Sequence, residues 1–187
     1  MKYLTVLLAF PLFCFGQRHD YIWMFGYNSN ATSGYPGVEG VLMDFNEYPP
    51  SINYIPIELI FNVCGTSISD EEGNLLFYTN GCAIADLNHE LIANTDCLNA
   101  GPIHDDYCDI IGYPAGPQSA LILNTPNHSN KYYLLYSHLE YAENSPAIAL
   151  TTGLLGAIVE VDTLTNQGNM IVKNVPVISD SLGMGQL

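Results

Sequence analysis

The densest run of groups able to ligate or titrate is His104-Asp105-Asp106-Tyr107-Cys108-Asp109. An imidazole beside carboxylates suits a transition metal, and the carboxylates alone suit calcium. The spacing matches no metal motif, so a solvated acidic loop is favoured, with His104, Asp105, Asp106 and Asp109 kept as metal candidates and calcium as the one cofactor to consider. A second acidic run, Asp70-Glu71-Glu72-Gly73-Asn74, lacks the alternating ligands and closing glutamate of an EF-hand, and a hairpin turn accounts for it. There is no G-x-S-x-G elbow, and neither Ser67 nor Ser119 stands at a strand-to-helix turn with an identifiable histidine and acid. No catalytic residue is assigned. Glycosidase chemistry asks only for two carboxylates at a set separation, and 19 acidic residues offer no way of choosing the pair from sequence.

Thiol chemistry depends on the compartment. Residues 1–17 begin with Lys2, run apolar from Tyr3 to Phe15 and end in Gly16-Gln17 before Arg18-His19-Asp20. That is the layout of a secretory signal peptide, too short to span a bilayer, with cleavage expected after Gly16 or Gln17. Pro11-Leu12-Phe13 lacks the small residue that precedes a lipidated cysteine, so Cys14 is read as part of the leader. Cys64, Cys82, Cys97 and Cys108 remain, an even number in an exported chain, so two disulfides are plausible. Three pairings are open. Cys82 with Cys108 is preferred, stapling a long loop to its base and leaving Cys64 and Cys97 paired or free. Zinc is disfavoured, because no C-x-x-C pair is present.

Composition narrows the partners. Four basic against 19 acidic residues give a net charge of -15, which repels a nucleic-acid backbone or an anionic membrane surface. Apolar residues make up 48% and charged residues 12%, with 13 Tyr, 16 Gly and 11 Pro. These favour short strands joined by turns.

The elements that must position these groups follow from period and punctuation. Phe61 to Ile68 and Leu75 to Thr79 flank the acidic turn and predict a hairpin over Ser67 to Gly81. Tyr21 to Tyr27 and Gly40 to Phe45 precede it as strands, while Pro49-Pro50 and Pro56 break the chain between. Trp23, the only tryptophan, reads as a core anchor between layers. Residues 81–117 carry turn chemistry and little strand signal, a long loop where function tends to reside. Strands return at Ser119 to Leu123, Tyr132 to Leu139, Ala157 to Asp162 and Asn169 to Val177. Tyr107, Tyr113, Tyr132, Tyr133 and Tyr136 flank the loop, and half-buried sheet positions are favoured for them over a sugar-stacking surface.

Four strands, a long link and four more strands suit two blades of a propeller. Trp23-x-Phe25-Gly26, Asp44-Phe45, Ser67-Ile68-Ser69-Asp70, Gly73-Asn74-Leu75-Leu76-Phe77-Tyr78-Thr79-Asn80-Gly81, Gln118-Ser119-Ala120-Leu121-Ile122 and Tyr132-Tyr133-Leu134 occur in that order. The series resembles the N-terminal propeller-like region of large secreted Bacteroidota proteins, many ending in a type IX secretion sorting domain. The resemblance implies an all-β fold of antiparallel four-stranded blades, incomplete at about two, over residues 18–187. The blade-like units lie at about 21–80 and 118–177, with the loop 81–117 between them. It also implies that the chain is a fragment, with the remaining blades supplied by a longer polypeptide. Asp162-Thr163-Leu164 and Asp180-Ser181-Leu182 are similar to the O-glycosylation acceptor of that phylum. The expected function is a secreted or cell-surface binding or adhesion module for an extracellular glycan or protein, without a membrane span. A secreted glycan-active enzyme fragment and a structural spacer are the alternatives.

Overall fold

Ile22 and Met24 of β1 (Ile22–Gly26) are buried while Trp23 and Phe25 between them are exposed, the two-residue period of a half-covered strand. β1 pairs with β2 (Gly40–Asp44), and β2 with β3 (Ser51–Ile55). A second meander joins β4 (Thr66–Ser69), β5 (Leu75–Thr79) and β6 (Ile84–Asp86). After a single-turn helix, α1 (Pro102–Tyr107), the chain forms a four-stranded sheet from β7 (Ala120–Asn124), β8 (Lys131–Ala142), β9 (Ser145–Val161) and β10 (Gly168–Ile178). This is a computed structural model, and it describes residues 17–27, 39–61, 64–162, 164–165 and 167–183. Apart from Gln17, the expected leader lies outside the described residues, as do most of the turn after β1, Thr163, Asn166 and residues 184–187. No helix among the described residues is long and apolar enough to cross a membrane.

The protein is all-β, with antiparallel sheets of three, three and four strands, none of them closed. The last four expected strands do share one sheet. The region expected as a single four-stranded unit, 21–80, divides between two three-stranded sheets: β3 joins β1 and β2, and β6, from the segment expected as a loop, joins β4 and β5. The hairpin forms as expected, although its first arm starts at Thr66. Its acidic turn is closed from within: the Asp70 carboxylate accepts bonds from the Asn74 backbone N–H at 2.8 Å and the Asn74 side-chain amide at 2.9 Å. Gly73 has φ 93°, and a Cβ there would lie 2.4 Å from Asn46 Oδ1, so the reversal needs glycine.

The sheets stack in three layers. Phe77 and Tyr78 are neighbours on β5, hence on opposite faces, and both are fully buried. Phe77 packs with Ile68 and Ile84 against Ile122, Leu134 and Val159 of the four-stranded sheet, its ring 5.4 Å from that of Tyr132. Tyr78 and Ala85 pack the other way, onto Ile22, Met24, Ile57 and Leu59. The β4-β5-β6 sheet is thus clad on both faces and each outer sheet on one.

What the outer sheets leave uncovered is apolar. Register aligns Trp23 with Met43 and Ile52, and Phe25 with Val41 and Tyr54. On the far side the rows are Leu123, Tyr133, Ile158 and Val172, then Leu121, Leu135, Gly156 and Val175. Trp23 is therefore not the buried anchor expected. It is 47% exposed, with its Nε1–H donating to the Asp20 carbonyl at 2.9 Å and its ring against Phe45, because no layer covers that side of β1.

Candidate functional site

The segment 81–117 is organised by side chains that close its turns. Asn80, buried after β5, accepts from the Cys82 and Ala83 backbone N–H groups at 3.0 and 3.3 Å and donates to the Ile60 carbonyl at 3.1 Å. Gly81 follows with φ 82°, where a Cβ would meet Tyr113 and Cys64 Sγ. The Thr95 hydroxyl shares bonds with the backbone of Ile84 and Ile92, folding the next turn onto β6.

A disulfide joins Cys82 to Cys108, the preferred pairing, while Cys64 and Cys97 are free thiols. Cys64 is buried, and desolvation pushes its thiol up to about 11 against a lowering bond from Ser119. Cys97 is exposed.

Three asparagine and tyrosine side chains dock this segment onto the four-stranded sheet. The Tyr136 hydroxyl donates to Asn174 Oδ1 and accepts from the Asn174 backbone N–H, both at 2.9 Å. Asn174 Oδ1 also accepts from the Asn99 N–H at 2.9 Å, and its amide donates to the Cys97 carbonyl. Asn99 donates to the Gly81 carbonyl at 3.2 Å, and its Oδ1 lies 3.2 Å from His138 Nδ1. Asn99 and Asn174 adopt φ 59° and 56°, a region asparagine tolerates. Burial pushes the Tyr136 phenol up to about 12. Sequence reasoning missed this network, because nothing in the spacing of Asn99, Tyr136 and Asn174 announces that they meet.

Between this segment and the chain preceding β4 lies an open cleft of about 330 Å³, lined by Glu58, Asp96, Cys97, His104, Asp109 and the disulfide. Two of the four metal candidates, His104 and Asp109, reach it. Asp105 is paired with His104 at 3.3 Å, and Asp106 accepts from the Tyr141 hydroxyl at 2.5 Å. That bond to a carboxylate, the largest cause, pushes the Tyr141 phenol up to about 12. Residues 104, 105 and 106 are successive on α1, hence about 100° apart around its axis, and do not converge. Among the described residues no three His, Cys, Asp or Glu side chains are gathered as a metal site. The two serines considered for nucleophilic roles donate to backbone carbonyls, Ser67 to Ile22 at 2.6 Å and Ser119 to Gly116 at 2.7 Å. Of the tyrosines around the loop, Tyr132, Tyr133 and Tyr136 take the favoured sheet role on β8, the first and third buried and Tyr133 40% exposed on the outer face, whereas Tyr113 is buried in the loop itself and Tyr107 ends α1.

No family model, curated protein or solved structure matches the chain.

One titration follows from the packing between layers. His89 Nδ1 lies 3.2 Å from the Tyr78 hydroxyl, and burial lowers the imidazole's pKa, opposed by the Asp86 charge. The folded state thus favours neutral His89, and the unfolded state takes up the proton first as pH falls. This contribution is complete above the ordinary histidine range and is lost as pH drops through it. Urea midpoints measured downward from neutral pH should fall less for His89→Asn, which tolerates the φ of 67° here, than for the native chain. Equal slopes would contradict this assignment.

Proposed function

We propose that the chain is a propeller-like binding module of a larger exported protein. Further sheets of the same polypeptide cover its two outer faces, and its loops, 81–117 foremost, carry the ligand contacts. One observation carries this reading: the middle sheet is clad on both sides, whereas each outer sheet presents cross-strand rows of apolar side chains to solvent. Contiguous apolar faces on a soluble domain mark surfaces meant to be covered. The Cys82–Cys108 disulfide supports an oxidising compartment, and the series of motifs that includes Gly73 to Gly81 supports kinship with secreted Bacteroidota surface proteins. The acidic composition directs the ligand search towards neutral glycans and cationic or neutral protein surfaces.

The test is a paired substitution, Tyr133→Lys with Val175→Lys, made in the 18–187 chain and in the longer polypeptide. In the short chain, sedimentation velocity should show self-association relieved, with stability changed by no more than about 0.5 kcal/mol, as for other exposed positions. In the long polypeptide the same pair should cost several kcal/mol, on the order of the penalty for burying unpaired charge. Neutrality in both contexts would end the proposal.

A further inference from the structure

Three of the chain's five cysteines, Cys82, Cys97 and Cys108, line the single cleft described above. Two of them form the disulfide and the third is an exposed thiol. The Leu98 backbone N–H donates to the Cys82 carbonyl at 3.0 Å, which sets residue 97 alongside Cys82, one backbone hydrogen bond away. Two neighbouring residues of β10 hold the placement. The Asn174 amide grips the Cys97 carbonyl at 2.9 Å, and the Lys173 ammonium donates to the Asp96 carbonyl at 2.5 Å. Asp96 Oδ2 is 4.0 Å from Cys97 Sγ.

We propose that Cys97 and the Cys82–Cys108 disulfide form an intramolecular thiol–disulfide exchange site. The Cys97 thiolate attacks Cys82 Sγ, the Cys82–Cys97 bond forms, the Cys82–Cys108 bond breaks, and the electron pair leaves on Cys108 Sγ, which takes up a proton. One disulfide and one thiol stand on each side of the step, so no external oxidant or reductant is consumed. Attack is assigned to Cys82 because the Leu98 N–H bond to its carbonyl places residue 97 beside it, while Cys108 is the α1 end of the bridge and serves as the leaving sulfur. Carboxylates of Glu58, Asp96 and Asp109 line the same cleft and repel anionic disulfides such as oxidised glutathione, so the neighbouring protein disulfide is the favoured substrate. The step moves the covalent link off α1 and frees its C-terminal end, exchanging one tether of the 81–117 segment for another.

The experiment is disulfide mapping of the native 18–187 chain. Protein held without denaturant at about pH 8, where more thiolate forms, is sampled over time, quenched in acid, alkylated with N-ethylmaleimide and digested without reductant. A Cys82–Cys97 peptide should appear over minutes to hours together with alkylated Cys108. It should drop at least about tenfold in Cys97→Ser, which removes the attacking thiolate. Cys64→Ser should leave the time course unchanged, since that buried thiol does not take part. Cys82–Cys108 persisting alone, with Cys97 alkylated throughout, would overturn the proposal. So would Cys97–Cys97 dimers in place of the internal product, or a Cys64-dependent rearrangement.

Discussion

Phe77→Ala is expected to lower the unfolding free energy by about 3–5 kcal/mol, the range for emptying a buried aromatic site. The upper half of that range is expected here, for a geometric reason. Phe77 is fully buried on the central strand of the central sheet and fills the gap to Ile122, Leu134 and Val159. Both bordering sheets are held by their own ladders, and the sheet carrying Phe77 is braced from behind by Tyr78 against β1, so the vacated space cannot collapse. Leu123→Ala, on the outer face of the four-stranded sheet, removes a large apolar side chain from a place where water already reaches it and should cost less than about 1 kcal/mol. Urea titration with an unchanged m-value is the measurement. Comparable losses for the two variants would mean that the three layers are not packed as described.

Removing both Cys82 and Cys108 as serines should cost about 2–4 kcal/mol, because the bond closes a 26-residue separation in the unfolded chain. A drop of about 5–15 °C in Tm follows for a domain of this size. Dithiothreitol should bring the native chain to the same midpoint and leave the double variant unmoved. The double replacement is required, since Cys82→Ser alone leaves Cys108 free to meet Cys97. A double variant as stable as the native chain would show that the side-chain bonds of Asn80, Asn99 and Asn174 fix the segment without help from sulfur.

The hairpin and the four strands of the last sheet were legible because their signals are local. Gly73 and Asn74 sit between apolar runs, and Thr125 to His128 breaks β7 from β8. The Cys82–Cys108 pairing was preferred for its position at the base of the loop, and the bond forms there. β3, β6 and α1 escaped notice. Ser51–Ile55 lies between prolines and breaks its apolar run at Asn53, while Ile84–Asp86, with three residues, and Pro102–Tyr107, with six, are too short for a period to show. Trp23 was misplaced because residue type records a preference for burial and says nothing of whether a layer lies opposite. How His104, Asp105, Asp106 and Asp109 are arranged in space was not legible, because successive positions on even one helical turn point about 100° apart. The cleft with its three sulfurs was not legible, since it depends on Asn99, Tyr136 and Asn174 bringing together residues far apart in the chain.

Each sheet consists of strands consecutive in the chain, 1-2-3, 4-5-6 and 7-8-9-10, with no crossover between sheets. Strand pairing therefore never has to wait for a distant partner, and loop-closure entropy is met in small instalments within each meander. A chain made from the N-terminus can finish one sheet before the next has arrived, leaving only the docking of completed layers. Folding should then be limited by layer association, with Phe77 and Tyr78 the last residues to lose water.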